Sequence, residues 1–311
     1  MKGMKIVTLA LVLLVLVYAV HAAEETQTDK LTEIMKRGKM VIAIQPDFPP
    51  FSVLKKEVTR TADTKCFSNE HVAAELTGFE ADVAVEAARR LGVEPCFVNP
   101  AWSEIINGTW ADRWDIAFDS VSVTYERMEF LYFAKPYRTG PSAFFVHKDN
   151  KTFKQAADLS GKKIGSCAGS IQDRYMEGTL ELPGQKLEYP VKNPVIVAYD
   201  KQMSSLKELA LGDGVKTDAV LISIFIGNKA ASEGMPVRQL GAPVVSPHVA
   251  PAIDKKQNRD PIPFVKKINE IITQMHADGT VSEIGEKYFH LETDIITPAK
   301  EFNIDSLKQY P

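Results

Sequence analysis

The chain has 311 residues, 45% of them hydrophobic and 25% charged, with a formal net charge of −3 that becomes −5 once Lys2 and Lys5 are set aside. That is the composition of an ordinary globular protein, and its acidic balance argues against nucleic acid as a partner, because phosphate binding needs surplus cations. The six histidines and three cysteines are scattered singly without zinc spacing, so no metal or other cofactor is expected.

The N-terminus sets the compartment. Lys2 and Lys5 precede an apolar run from Ile6 to Val17, and Val20-His21-Ala22 completes the layout of a secretory signal peptide over residues 1–22, cleaved after Ala22 or Ala23. A membrane span needs about 20 apolar residues, more than this run offers. No cysteine stands at the cleavage point to take a lipid. The mature chain is expected to be exported and soluble.

About 290 residues then remain, more than one hydrophobic core usually organises, so two lobes are expected. Short apolar strands alternate with amphipathic helices, the α/β pattern. Residues 39–44 read as a first strand, ended by the proline-rich loop 45–51. A polar insertion, 54–76, reads as a surface excursion. Gly78 to Asp82 opens a helix in which Val83, Val85, Ala87, Ala88 and Leu91 recur at near-helical spacing before Gly92 closes it. A strand over 94–98 and a helix over 102–110 follow.

The next segment, Asp115 to Arg127, is the most informative. Its buried strand, Ile116-Ala117-Phe118, runs into a polar loop where Ser120 and Ser122 alternate, and Arg127 stands where a short helix begins. Backbone N–H groups, hydroxyls and a permanent cation meet there. The planar fork of a guanidinium matches a carboxylate, so the segment points to recognition of a small organic acid.

After Gly140 the pattern starts again, with strands at 142–147, 162–166, 195–199 and 218–222, a loop at 169–172 entering a helix, and a helix over 203–211. Two helices across 262–289, broken at Asp278-Gly279, have no partner in this second set and are expected to rejoin the first. The lobes are thus expected over 28–140 plus 247–293 and over 141–246, with a C-terminal tail at 294–311. Three cysteines in an oxidising compartment suggest one pair and one leftover. Three pairings are possible; Cys66 with Cys96 is preferred because both fall in the first lobe. Cys167 reads as a small buried hydrophobe.

Several short motifs stand together in one order: Asp47 to Phe51, Gly78 to Asp82, Trp102, Trp114 to Ala117, Thr124 with Glu126-Arg127, Phe133 to Tyr137, Leu159 to Gly165, Ala277 to Thr280 and Lys287 to Phe289. On these residues the chain resembles the periplasmic solute-binding proteins of the polar amino-acid type, family 3 of the bacterial extracellular solute-binding proteins. The resemblance implies an α/β, bilobed periplasmic-binding-protein-like fold of type II, with two lobes joined by a two-strand hinge. It also implies a periplasmic monomer without catalysis that delivers a carboxylate-bearing solute to the permease of an ABC importer. Carried over position by position, Phe48 covers the ligand and Trp102 lines the site. Ser120, Ser122 and Arg127 grip the ligand carboxylate, and Ser170-Ile171-Gln172 adds N–H donors at a helix start.

Two positions depart from the family pattern. Ser223 stands where the family places an Asp that holds the ligand ammonium, and a neutral hydroxyl cannot balance a buried cation. Asp119 stands where the family has a small residue. Either Asp119 has taken over the ammonium or the ligand lacks one. A carboxylate beside a carboxylate site repels the ligand unless a cation intervenes, which favours an amine-bearing ligand. Two other functions remain open. An exported cyclohexadienyl or arogenate dehydratase-like enzyme would use Asp119 as general acid. An accessory protein of a periplasmic quinoprotein dehydrogenase would account for Ser223 and the 54–76 insertion.

Overall fold

The computed structural model describes residues 29–289 and 294–310; the expected leader at 1–22 lies outside them. A first helix, α1 (Lys30–Arg37), is capped by Asp29, whose carboxylate accepts the Thr32 N–H, and ends at left-handed Gly38. Lys30 is buried against Asp115 at 3.0 Å, and Arg37 and the Val41 N–H converge on the same carboxylate. Then come β1 (Lys39–Ala43), the short β2 (Asp47–Phe48) and β3 (Ser52–Leu54), β4 (His71–Val72), β5 (Leu76–Thr77), α2 (Phe79–Leu91), β6 (Glu94–Val98), α3 (Trp102–Ile106), β7 (Ile116–Ala117), α4 (Tyr125–Met128), β8 (Leu131–Phe133) and β9 (Arg138–Thr139).

The second lobe holds β10 (Ser142–His147), β11 (Lys163–Cys167), α5 (Ile171–Glu177), β12 (Val195–Tyr199), α6 (Gln202–Leu209), β13 (Ala219–Ser223), α7 (Ile224–Ser232) and β14 (Val237–Val245). The chain returns through β15 (His248–Val249) and β16 (Ala252–Asp254), and closes with α8 (Ile262–Ala277), α9 (Thr280–Phe289) and α10 (Thr297–Glu301).

Two mixed sheets result. The first has the order β4-β6-β1-β7-β16-β8 and the second β12-β11-β13-β10-β14. In the first, β1 runs parallel to β6 and β7, while β16 is antiparallel to β7 and β8. In the second, β11 runs parallel to β12 and β13, while β10 is antiparallel to β13 and β14. Helices cover the faces, so β1, β10 and β13 are buried throughout and read as continuous apolar runs. On α8, Phe264, Ile268, Ile271, Ile272 and Met275 form one apolar stripe that packs on α1 and α2, placing the C-terminal helices with the first sheet. Strands β9 and β15 pair antiparallel, Thr139 opposite His248 and Arg138 opposite Val249, and form the two-strand hinge.

Two elements differ from the sequence expectation. The insertion is no mere surface excursion. Its β4 pairs with β6 as the edge of the first sheet, Cys66 is disulfide-bonded to Cys96 of β6, and Glu70 makes a buried ion pair with Lys39 at 2.7 Å. The helix expected over 102–110 stops at Ile106, because Gly108 turns left-handed and the Trp110 N–H leaves to donate to Asp254 Oδ2 at 2.7 Å. The C-terminal tail packs on the hinge strands and on β8. Ile295 O accepts the Thr139 N–H at 2.7 Å, Phe302 lies 4.1 Å from the His248 ring, and Gln309 Oε1 accepts the Phe133 N–H at 2.7 Å.

The disulfide closes a loop of 30 residues that runs from the insertion through α2 to β6. Loop-closure entropy makes such a cross-link worth roughly 3.5 kcal/mol. Cys66→Ser/Cys96→Ser is therefore expected to lower the denaturation midpoint clearly, a shift that urea titration measures. Added reductant should reproduce the shift in the wild type and leave the double variant unchanged.

Candidate functional site

A cavity of about 400 Å³ lies between the two lobes, within the size range of small-molecule sites. Phe48, Trp102, Asp119, Ser120, Ser122 and Arg127 line it from the first lobe, and Ser170, Ile171, Gln172 and Ser223 from the second. All the site positions singled out in the sequence thus share one cavity. The lobes also touch across it. Arg174 on α5 makes two hydrogen bonds to Glu126, at 3.0 and 3.1 Å, and Lys201 pairs with Asp47.

Arg127 is held from its own loop. The Thr124 hydroxyl caps α4 by accepting the Arg127 N–H at 3.1 Å, and Nη1 donates to Ser122 O at 3.1 Å. Nη2 reaches the second lobe, 3.4 Å from Gly169 O, and the guanidinium lies 5.1 Å from the Trp102 ring centre. The residue is 6% exposed, yet among the described residues no carboxylate comes within ion-pair distance of it; Glu126 pairs with Arg174 instead. Burial lowers its pKa to about 10, so it stays charged at neutral pH, a buried cation without a counter-charge.

Asp119 is the converse. Its Oδ1 accepts the Gln45 N–H at 2.9 Å, across the sheet rather than as a cap on its own turn, while Oδ2 has no partner. At 2% exposure, burial is the main cause that pushes its pKa up to about 8; nearby Glu80 and Asp47 add to the rise and the Gln45 N–H opposes it. Three more polar atoms of lining residues are buried and unpartnered, Trp102 Nε1, Arg138 Nε and Ser223 Oγ. Ser223 ends β13, and its N–H donates to Gln202 Oε1 at 3.1 Å. Such orphan groups are rare in folded proteins, and a ligand that pairs with them removes the cost.

The two serines of the loop behave differently. Ser122 Oγ makes no hydrogen bond among the described residues, whereas Ser120 Oγ donates to Glu80 Oε1 at 2.8 Å and accepts from Arg138 Nη2 at 2.6 Å. Both serines line the cavity, but only the Ser122 hydroxyl is free of hydrogen bonds among the described residues. On the second lobe, the Ser170 hydroxyl caps α5 by accepting the Asp173 N–H at 3.2 Å, and Asp173 Oδ2 in turn accepts the Gly169 N–H at 3.0 Å. Gln172 Nε2 donates to Ser142 Oγ at 2.8 Å. The loop carrying Phe48 is clasped to α2, because the Phe79 and Glu80 N–H groups donate to Pro50 O and Phe51 O. Gly78 makes that approach possible: at φ 131° a Cβ there would lie 2.3 Å from Phe51 O.

Sequence reasoning missed Gln45, Arg138, Lys201 and Gln202, all of which line the cavity. Arg138 carried a signal, a charge in the passage from the first lobe to the second. The others carried none. Cys167 also lines the cavity, and burial raises its thiol to about 11, so it stays protonated and inert.

The probable amino-acid-binding protein YxeM of Bacillus subtilis is 29% identical over 217 residues, covering 69% of this chain and 76% of its own. The L-cystine-binding protein TcyJ of Escherichia coli K12 is 25% identical over 260 residues, 83% of this chain and 85% of its own. Among solved structures, the ancestral amino acid-binding protein AncCDT-1, a precursor of cyclohexadienyl dehydratase, superposes with a TM-score of 0.65 at 25% identity, covering 84% of this chain and all of that one. The model of the bacterial extracellular solute-binding proteins, family 3, matches residues 40–291, and the chain belongs to that family.

Proposed function

We propose that this protein is a periplasmic receptor that captures an amino acid, or a close relative bearing both a carboxylate and a cationic group, and delivers it to the permease of an ABC importer. One observation carries the reading: a single interlobe cavity holds a buried guanidinium without a counter-charge and a buried carboxyl group, Asp119, whose Oδ2 has no partner. A zwitterion supplies a carboxylate for the first and a cation that holds the second ionised. Arg127 and the free Ser122 hydroxyl take the ligand carboxylate, with the Ser170-Ile171-Gln172 segment closing over it. Asp119 takes the cationic group in place of the family's second-lobe Asp. Phe48 and Trp102 flank the ligand, and Trp102 Nε1 and Ser223 Oγ offer further hydrogen bonds. Closure removes water, which strengthens each of these contacts. The names of the relatives, amino-acid-, cystine- and histidine-binding proteins, support this class of ligand.

A thermal-shift screen of amino acids, keto acids and dicarboxylates tests it. Stabilisation confined to amine-bearing acids is expected. Stabilisation by amine-free acids would discard the role of Asp119, and no response to any organic acid would sink the reading. The dehydratase alternative is not favoured: a structural neighbour that bears on it, a precursor of cyclohexadienyl dehydratase, is itself an amino acid-binding protein.

A further inference from the structure

The hinge strands connect the lobes and also hold the ligand loop from two sides. From β9, Arg138 is 2% exposed; its Nη2 donates to Glu80 Oε1 at 2.7 Å and to Ser120 Oγ at 2.6 Å, and its Nη1 donates to Thr139 O at 3.0 Å. Glu80, in the first turn of α2 and fully buried, gathers on Oε1 the Tyr137 hydroxyl at 3.0 Å and the Ser120 hydroxyl at 2.8 Å as well. From β15 the backbone grips the same loop. The Val123 N–H donates to His248 O at 2.8 Å, the Ala250 N–H donates to Val121 O at 3.1 Å, and Ser122 bridges to Val249.

Between these holds, Ser120 has φ 52°, the left-handed region, which costs a residue with a Cβ about 1–2 kcal/mol. The surroundings must enforce that conformation. A buried ion pair contributes little net stability compared with apolar residues of similar volume. Stability alone is therefore a weak account of the Arg138–Glu80 pair on a hinge strand, beneath the loop that carries Asp119 and Ser122.

We propose that Arg138 is a positioning residue for the ligand site: with Glu80 it holds the Ser120 turn left-handed, so that Asp119 and Ser122 face the cavity, and its place on β9 ties that geometry to the angle between the lobes. The inference rests on the cavity being the ligand site.

Amide exchange in the ligand-free protein, followed by NMR, tests it at Val123 and Ala250, whose hydrogen bonds join the loop to β15. Arg138→Gln is expected to speed exchange at both by about tenfold or more, the effect of losing a charge-assisted hydrogen bond. The amides of the β10–β13 ladder should exchange as in the wild type. Arg138→Lys, which keeps the charge without the fork, should fall between the two. Unchanged exchange at Val123 and Ala250 overturns the proposal. So does equal acceleration across both sheets, which would make Arg138 a stability residue. If Arg138→Gln does not fold, Ser120→Ala carries the same measurement, because it removes the hydroxyl and leaves the Arg138–Glu80 pair in place. No ligand enters the experiment, so a failed solute screen would sink the receptor reading and leave this result standing.

Discussion

Arg127→Ala is expected to abolish the thermal stabilisation that the ligand gives, with affinity falling by about two to three orders of magnitude. Truncating one member of a buried, hydrogen-bonded charge pair costs roughly 2–5 kcal/mol, much of it the penalty of leaving the other charge unpaired. Here the unpaired partner would be the ligand carboxylate, shut in a cavity with no second free guanidinium among the described residues; Arg138 is already committed to Glu80. The ligand-free protein should respond in the opposite direction. Its Arg127 is a desolvated cation without a counter-charge, so Arg127→Met, apolar and of similar length, is expected to leave the melting temperature of the empty protein unchanged or raise it. Calorimetric titration and melting curves on the two variants separate these effects. Normal binding by Arg127→Ala would show that the carboxylate is held elsewhere.

Asp119 makes a prediction about pH in which the sign is decisive. Its pKa in the folded, empty protein is about 8, above the ordinary 3.8, so folding favours the protonated form. Its contribution to the stability of the empty protein is complete below about pH 4 and is lost as pH rises through 8. Capture of a cationic group needs the ionised form. Affinity for an amine-bearing ligand should therefore rise between about pH 6 and 8 and level off above, with up to one proton released per ligand bound, seen as a buffer-dependent heat in calorimetry. Asp119→Asn is expected to flatten both profiles. A ligand without an amine would reverse the slope, because a protonated Asp119 would then serve as a hydrogen-bond donor and its ionisation would repel the acid. A flat affinity profile without buffer dependence would remove Asp119 from recognition altogether.

The sequence by itself determined the elements whose signals are local. Strands such as 94–98, 142–147 and 195–199 were legible from apolar runs, and the break between α8 and α9 from Asp278-Gly279. The segment from Asp115 to Arg127 announced a cation beside hydroxyls, and the paired cysteines matched the expected pairing. Tertiary structure alone decided how those pieces are held. Helix α3 ends early because Trp110 is drawn to Asp254, 144 residues away; the insertion becomes a sheet edge because Cys66 and Glu70 are fixed to Cys96 and Lys39; and Ser120 loses its free hydroxyl to Glu80 and Arg138. Side-chain hydrogen bonds and buried charge pairs join residues at arbitrary separations, so they leave no periodic trace along the chain. Apolar burial on a helix or strand repeats every few residues and does.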